Sequence, residues 1–219
     1  MRAPIAREPS LLSTLKSGMT EKGTIVLAAG GTGGHLFPAQ ALAEELTRRG
    51  YVIHLMTDER VRDYGKSFPA EQTHVVPSST LSLGKPWLLP DWLFRLFGGY
   101  RQARAIMQSL RPQAVVGFGG YPSFPPILAA ANLKIPSCVH DQNAVMGRAN
   151  RVLARYADAI ASSFPDLQGL PPAAAHKVTV TGNPVRDLVL KSRAAAYPAA
   201  GRFRLLVFGG SQGAQFFGD

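Results

Sequence analysis

Short runs of β-branched and apolar residues, each followed by a helix-length segment, recur along this chain and leave it few folds to adopt. Thr24–Ala29 is the first, and it ends in the turn Gly30-Gly31-Thr32-Gly33-Gly34-His35. A helix pattern follows, with Ala39, Leu42, Ala43 and Leu46 at i, i+3, i+4 and i+7. Glu44 stands four residues before Arg48 and Glu45 four before Arg49, the favourable order for ion pairs on a solvated face. Gly50 ends that helix, Tyr51–Thr57 reads as the next strand and Asp58–Lys66 as a short helix. His74–Pro77, Ala114–Gly117, Ser137–His140, Ala159–Ser162 and Val178–Thr181 repeat the theme. Alternation of this kind predicts an α/β fold: a Rossmann-like parallel sheet with helices on both faces, binding ligands beyond the carboxyl ends of its strands.

Domain organisation follows from where the pattern changes. Residues 1–22 read as a flexible tail, with Met1 and Met19 both available as starts, and residues 23–186 as the sheet domain. Residues 187–201 are Ala/Pro-rich at their end and read as a connection, although Asp187–Lys191 suits a last helical turn. Residues 202–219 hold one more strand, Phe203–Phe208, and a third glycine turn, Gly209-Gly210-Ser211-Gln212-Gly213, expected to begin a second, truncated domain.

Composition removes several functions. The 219 residues contain no run approaching the roughly 20 apolar residues of a spanning helix, and the first 20 lack the apolar core of a secretory signal. Cys138 is the only cysteine, so an internal disulfide or a cysteine metal cluster is impossible, and no histidine pair has metal-ligand spacing. Lys and Arg number 24 against 14 Asp and Glu, a surplus that calls for an anionic partner. The arginines are scattered over helical segments with few aromatic platforms nearby, which disfavours nucleic acid. Anionic lipid or a phosphorylated substrate remains.

Three strand-terminal glycine turns, the second being Gly117-Phe118-Gly119-Gly120-Tyr121-Pro122, predict phosphate handling by backbone amides and helix N-termini. They are neither P-loops, since no Gly-Lys-Ser/Thr follows, nor a regular dinucleotide fingerprint, since the sixth position counted from Gly31 is Leu36. Asp58 at a strand end keeps a nicotinamide enzyme as a weaker alternative. His35 enters a helix at the ligand-binding rim, where the helix dipole favours the neutral imidazole of a general base; the alternative is a histidine that only ties the loop. Asp141, in His140-Asp141-Gln142-Asn143, suits orienting a histidine or accepting a sugar hydroxyl, with a turn-stabilising role as its competitor. His54 and His74 read as structural. Trp87, Leu88, Leu89, Trp92, Leu93, Phe94, Leu96 and Phe97, interrupted at Pro90 and Asp91 and flanked by Lys85, Arg95, Arg101 and Arg104, suit an anionic membrane interface. A separate following helix carries Ala103, Ile106, Met107 and Leu110.

Gly30–His35 with Pro38, Gly119-Gly120-Tyr121, His140–Asn143, Gly182-Asn183-Pro184-Val185-Arg186 and Gly209–Ala214 resemble, in this order, the signatures of the MurG family of bacterial glycosyltransferases. The resemblance implies a GT-B fold with an acceptor-binding N-terminal half and a nucleotide-binding C-terminal half. It implies inverting transfer of N-acetylglucosamine from UDP-N-acetylglucosamine to lipid I, giving lipid II in peptidoglycan synthesis, with no cofactor or obligatory metal. It further implies a peripheral position on the cytoplasmic face of the bacterial inner membrane. By position, Thr32, Gly33, Gly34, Asn143, Arg186 and Ser211 match residues that meet the UDP-sugar, and His35 matches the base. Gly33, Gly34, Gly119 and Gly120 would cradle the acceptor diphosphate, with Tyr121 and Asp141 beside them. The family commonly carries Glu where this chain has Asp141, and most of its donor pocket lies beyond residue 219. This chain alone is therefore expected to be inactive; the alternative is a non-catalytic acceptor or membrane module that pairs with a separate donor-binding chain.

Overall fold

The computed structural model describes residues 22–59, 68–78 and 89–192, together with Leu205. The tail to residue 21, most of the expected helix Asp58–Lys66, Lys85, Trp87, the side chain of Trp92, Phe203–Phe208 and the third glycine turn with Ser211 lie outside the described residues.

Seven strands form one parallel sheet: β1 (Thr24–Ala28), β2 (Val52–Thr57), β3 (Gln72–Val75), β4 (Ala114–Gly117), β5 (Ser137–Asp141), β6 (Ala159–Ser162) and β7 (Val178–Val180). Their order is β3-β2-β1-β4-β5-β6-β7, so the chain reverses direction across the sheet between β1 and β4. The register sets Val26 beside His54 on one side and Val115 on the other. The helices are α1 (Gly33–Arg48), α2 (Leu89–Leu110), α3 (Phe124–Leu133), α4 (Arg148–Leu153) and α5 (Asp187–Lys191), with short 3-10 turns at Tyr121–Ser123 and Pro172–Lys177.

Side-chain alternation along buried strands builds two cores, one on each sheet face. Ile25, Leu27, Ile53 and Leu55 point to α1, where they meet Leu36, Ala39 and Ala43. Val26, Met56, Val115, Val139 and Ile160 point to the opposite face, covered by Ala103 and Met107 of α2, Ile127 and Ala130 of α3, and Leu153 of α4.

Three expectations are corrected. Pro90 and Asp91 do not interrupt the aromatic segment: α2 runs unbroken from Leu89 to Leu110, because a proline in the first turn gives up an N–H that has no helical partner there. The membrane-type residues and the stripe through Ala103 and Met107 thus share one helix. Glu44 does not pair with Arg48. It accepts from Gln40 and from the Asp187 backbone N–H, and Arg48 turns to Glu45 and Asp187 because α5 brings a second carboxylate within reach. The predicted Glu45–Arg49 pair does form, at 2.6 Å.

Close packing of α2 depends on Gly99. A Cβ there would stand 2.1 Å from the Pro77 carbonyl oxygen, whereas one on the neighbouring Gly98 would have nothing within 4 Å. Gln102 donates to the Val75 carbonyl at 3.0 Å, fixing the same crossing.

Candidate active site

The carboxyl ends of β1, β4 and β5 converge where the sheet order reverses, and the residues that follow them surround a cleft of about 350 Å³. His35, Gly119, Gly120, Tyr121, Asp141 and Asn143 all line it, so both catalytic candidates and four of the substrate-binding ones meet in one place. Asn150 and Arg148, from the start of α4, complete the far wall.

His35 projects from the first turn of α1. Its Nδ1 lies 3.3 Å from Thr32 Oγ1, and the Thr32 carbonyl accepts the His35 backbone N–H at 3.2 Å. The ring rests on the second glycine turn. A Cβ on Gly119 would approach its Cδ2 and Nε2 to 3.4 Å, and one on Gly120 its Cε1 to 3.5 Å. Those are ordinary contact distances; what requires glycine at both positions is the backbone, with positive φ of 89° and 70°. Burial lowers the His35 pKa below 6.5, opposed by a hydrogen bond to the Gly30 backbone and by the charge of Asp141. The expected direction holds, and desolvation is its largest cause. The ring is held neutral near pH 7, as proton acceptance requires.

Asp141 is 1% exposed, and both of its oxygens are engaged. Oδ1 accepts from the Asn143 backbone N–H at 3.0 Å and its Nδ2 at 3.4 Å. Oδ2 accepts from the Gly147 N–H at 2.9 Å and Asn150 Nδ2 at 3.0 Å. The carboxylate thus organises the loop from β5 to α4 and reaches His35 only through its charge. Ser123, fully buried, puts its hydroxyl 2.9 Å from the Gly119 carbonyl and 3.1 Å from that of Ala28, joining the ends of β4 and β1.

Other predicted residues stand around the cleft. Gly33 packs under Phe37, whose ring a Cβ would touch at 2.8 Å, and Gly34 is exposed on the helix start. Arg186 does not line the cleft; its guanidinium stacks 3.8 Å above the Phe37 ring. His54 and His74 face each other across β2 and β3, with Nδ1 and Nε2 3.0 Å apart, away from the site. Asn150 is the residue that sequence reading missed. It is buried beside Ala149 and Leu153 of α4, and no local sequence signal marks it, because its role depends on Asp141. No group of three His, Cys, Asp or Glu suited to a metal occurs among the described residues.

The profile of the glycosyltransferase family 28 N-terminal domain matches residues 25–162, from β1 through β6. The chain belongs to this family. A Rhizobium meliloti (strain 1021) protein is 55% identical over 201 residues, covering 90% of this chain and 53% of the relative. Its name is UDP-N-acetylglucosamine–N-acetylmuramyl-(pentapeptide) pyrophosphoryl-undecaprenol N-acetylglucosamine transferase. A Sinorhizobium fredii protein of the same name is 54% identical over 200 residues, again 90% of this chain and 53% of the relative. The crystal structure of Acinetobacter baumannii MurG superposes with a TM-score of 0.61 at 30% identity, covering 75% of this chain and 46% of that one. This chain therefore spans about half the length of the curated relatives it matches. Its family 28 sheet is the N-terminal, Rossmann-like half of a GT-B glycosyltransferase.

Proposed function

We propose that this domain forms the acceptor half of a transferase that moves N-acetylglucosamine from UDP-N-acetylglucosamine to lipid I, giving lipid II, with His35 as general base. The carrying observation is an imidazole seated on two left-handed glycines in a cleft at the sheet's reversal point, where burial favours its neutral form. His35 takes the proton of the muramyl 4-hydroxyl as that oxygen bonds to the anomeric carbon from the face opposite the leaving group. The bond from that carbon to the diphosphate breaks, and UDP departs with the electron pair. Gly33, Gly34, Gly119 and Gly120 leave backbone amides open to the acceptor diphosphate. Thr32 steadies the base, Tyr121 walls the acceptor side, and Asn143 is assigned to the donor, as Arg186 and Ser211 are by resemblance alone. Asp141 shapes the loop and lends its field to His35.

The experiment joins this domain to the C-terminal half of a curated relative and follows transfer to a lipid I analogue. His35→Ala is expected to lower kcat by about 10²–10⁴-fold, the usual contribution of a general base, and unchanged turnover would overturn the assignment. The 219-residue chain alone is expected to show no turnover, and turnover by it would refute the division of labour between halves.

The same reading places the domain peripherally on the cytoplasmic face of the inner membrane, docked through the outer face of α2. Leu93, Phe94 and Phe97 are 51%, 78% and 57% exposed on consecutive turns, and the Arg101 guanidinium lies 5.9 Å from the Phe97 ring centre. Apolar side chains beside cations suit an anionic lipid surface. No helix among the described residues is long and apolar enough to cross a membrane. Phe94→Ser with Phe97→Ser is expected to abolish co-sedimentation with anionic liposomes; undiminished binding would refute the docking face.

A further inference from the structure

His140 is not part of the reaction proposed above, yet it is 3% exposed and its ring nitrogens both have fixed partners. Nε2 lies 3.1 Å from the Gly182 carbonyl, which can only accept, so Nε2 carries the proton. Nδ1 is then an acceptor, and Gln142 Nε2 stands 3.1 Å from it. The same amide nitrogen lies 3.0 Å from the Phe118 carbonyl and 3.3 Å from that of His140, so its two hydrogens are shared among the ring, the residue before Gly119 and the backbone of His140. The imidazole packs against the Phe118 ring with centroids 5.4 Å apart. One side chain thereby ties together the exits of β4, β5 and β7.

The β7 tie sets the path of the following segment. Gly182 takes a left-handed φ of 75°, and a Cβ there would meet nothing within 4 Å, so the backbone bend and not lack of space requires glycine. From this bend the chain runs to Arg186, which stacks on Phe37 two residues beyond His35. Asp187 then docks on α1 through Glu44 and Arg48. The Gly182 carbonyl also accepts from the Thr181 hydroxyl at 3.1 Å, a bond within the stretch itself, so among the described contacts the stretch before Arg186 is tied to the sheet by His140 and by the Thr181 amide, which donates to the Ser162 carbonyl.

We infer that His140 is a positioning residue whose Nε2–H tautomer pins the Gly182 carbonyl and so delivers Arg186 to Phe37 beside the candidate base. Protonating the ring would set a second N–H against the Gln142 amide and break the chain to Phe118. Burial, the main influence on the ring, keeps it neutral by lowering its pKa, against a hydrogen bond to Gly182 and the charge of Asp141. The inference rests on the proposed transferase only in giving Arg186 a donor to meet; the contact itself needs no substrate.

Two measurements on the 219-residue chain test it. Long-range ¹H–¹⁵N spectra at pH 7 are expected to show His140 with a protonated Nε2 and a bare Nδ1. Arg186 side-chain protons are expected to be shifted upfield by the Phe37 ring, with Phe37→Leu defining the unshifted position. His140→Gln, whose amide can still donate to Gly182, should keep that shift, and His140→Phe, which fills the space without an N–H, should lose it. An Nδ1–H tautomer or an imidazolium in the unaltered protein would overturn the inference, and so would a full Arg186 shift in His140→Phe. If His140→Phe does not fold, the tautomer and a folded His140→Gln decide, since loss of the shift in the latter also counts against it. Neither measurement involves turnover, so failure here leaves the transferase reading standing.

Discussion

Neighbouring glycines in α2 should respond to the same substitution with opposite signs. Gly98 is exposed in a helix interior with open space where a Cβ would stand, so Gly98→Ala removes backbone entropy from the unfolded chain and adds no clash. It should stabilise by about 0.5–1 kcal/mol. Gly99→Ala gains the same propensity but puts its Cβ 2.1 Å from the Pro77 carbonyl oxygen, with Pro125 Cγ at 3.1 Å closing another direction. Ordinary contact begins near 3.4 Å, so α2 or the chain leaving β3 must retreat by more than an ångström. Overpacking of this kind costs about 1–3 kcal/mol, which exceeds the propensity gain and leaves a net loss of roughly 1–2 kcal/mol. For a domain of this size each kcal/mol moves Tm by about 2–4 °C. Urea and thermal unfolding of the two single variants, followed by circular dichroism, should therefore bracket the parent protein. Equal shifts in the same direction would refute the close approach of α2 to Pro77, and with it the placement of the exposed Phe94 and Phe97 face.

Further outcomes follow from the site and its surroundings. Asp141→Asn sets an amide N–H₂ against two donors and forfeits two charge-assisted hydrogen bonds worth about 1.5–3 kcal/mol each, so a urea midpoint equivalent to a loss of roughly 3–6 kcal/mol is expected; an unchanged midpoint would contradict the four-donor cradle. His35, His54, His74 and His140 all have pKa values below the ordinary 6.5, so the unfolded chain binds more protons than the folded one. Their contribution is fully present above pH 6.5 and is lost as pH falls from there through the folded values, so the urea midpoint should drop between pH 7.5 and 5.5; a rise would reverse the sign of the reasoning. Arg48→Ala removes contacts of a side chain 54% exposed and should leave the urea midpoint essentially unchanged, with a clear drop pointing to a coupling of α5 to α1 beyond surface ion pairs.

The sheet was readable in the sequence because buried parallel strands announce themselves as compact apolar runs, and the glycines after β1 and β4 marked the candidate site because left-handed dihedrals at Gly31, Gly119 and Gly120 and crowding at Gly30 and Gly33 leave few other choices. His35 stood out for the same local reason, lying between a glycine turn and an amphipathic helix. What stayed hidden depends on partners distant in sequence. Asn150 is recognisable only once Asp141 is seen to need a donor, and the preference of Arg48 for Asp187 crosses 139 residues. Arg186 could be chosen by resemblance, but its seat on Phe37 could not. Pro90 was misread because proline marks a helix start and a helix break with the same letter.

Placing β1 in the middle of the sheet has a consequence for biosynthesis. Its two neighbours are β2, made at once, and β4, whose Val115 must find Val26 across most of the domain. When β3 has emerged from the ribosome, about 40 residues are still to emerge before β4 is complete, which at about 5–20 residues per second takes roughly 2–8 s. Throughout that interval the apolar edge of β1 that will later hold the floor of the cleft is open to any extended chain nearby. The strand that anchors the glycine turn of the candidate site is thus also where a nascent domain most needs shielding.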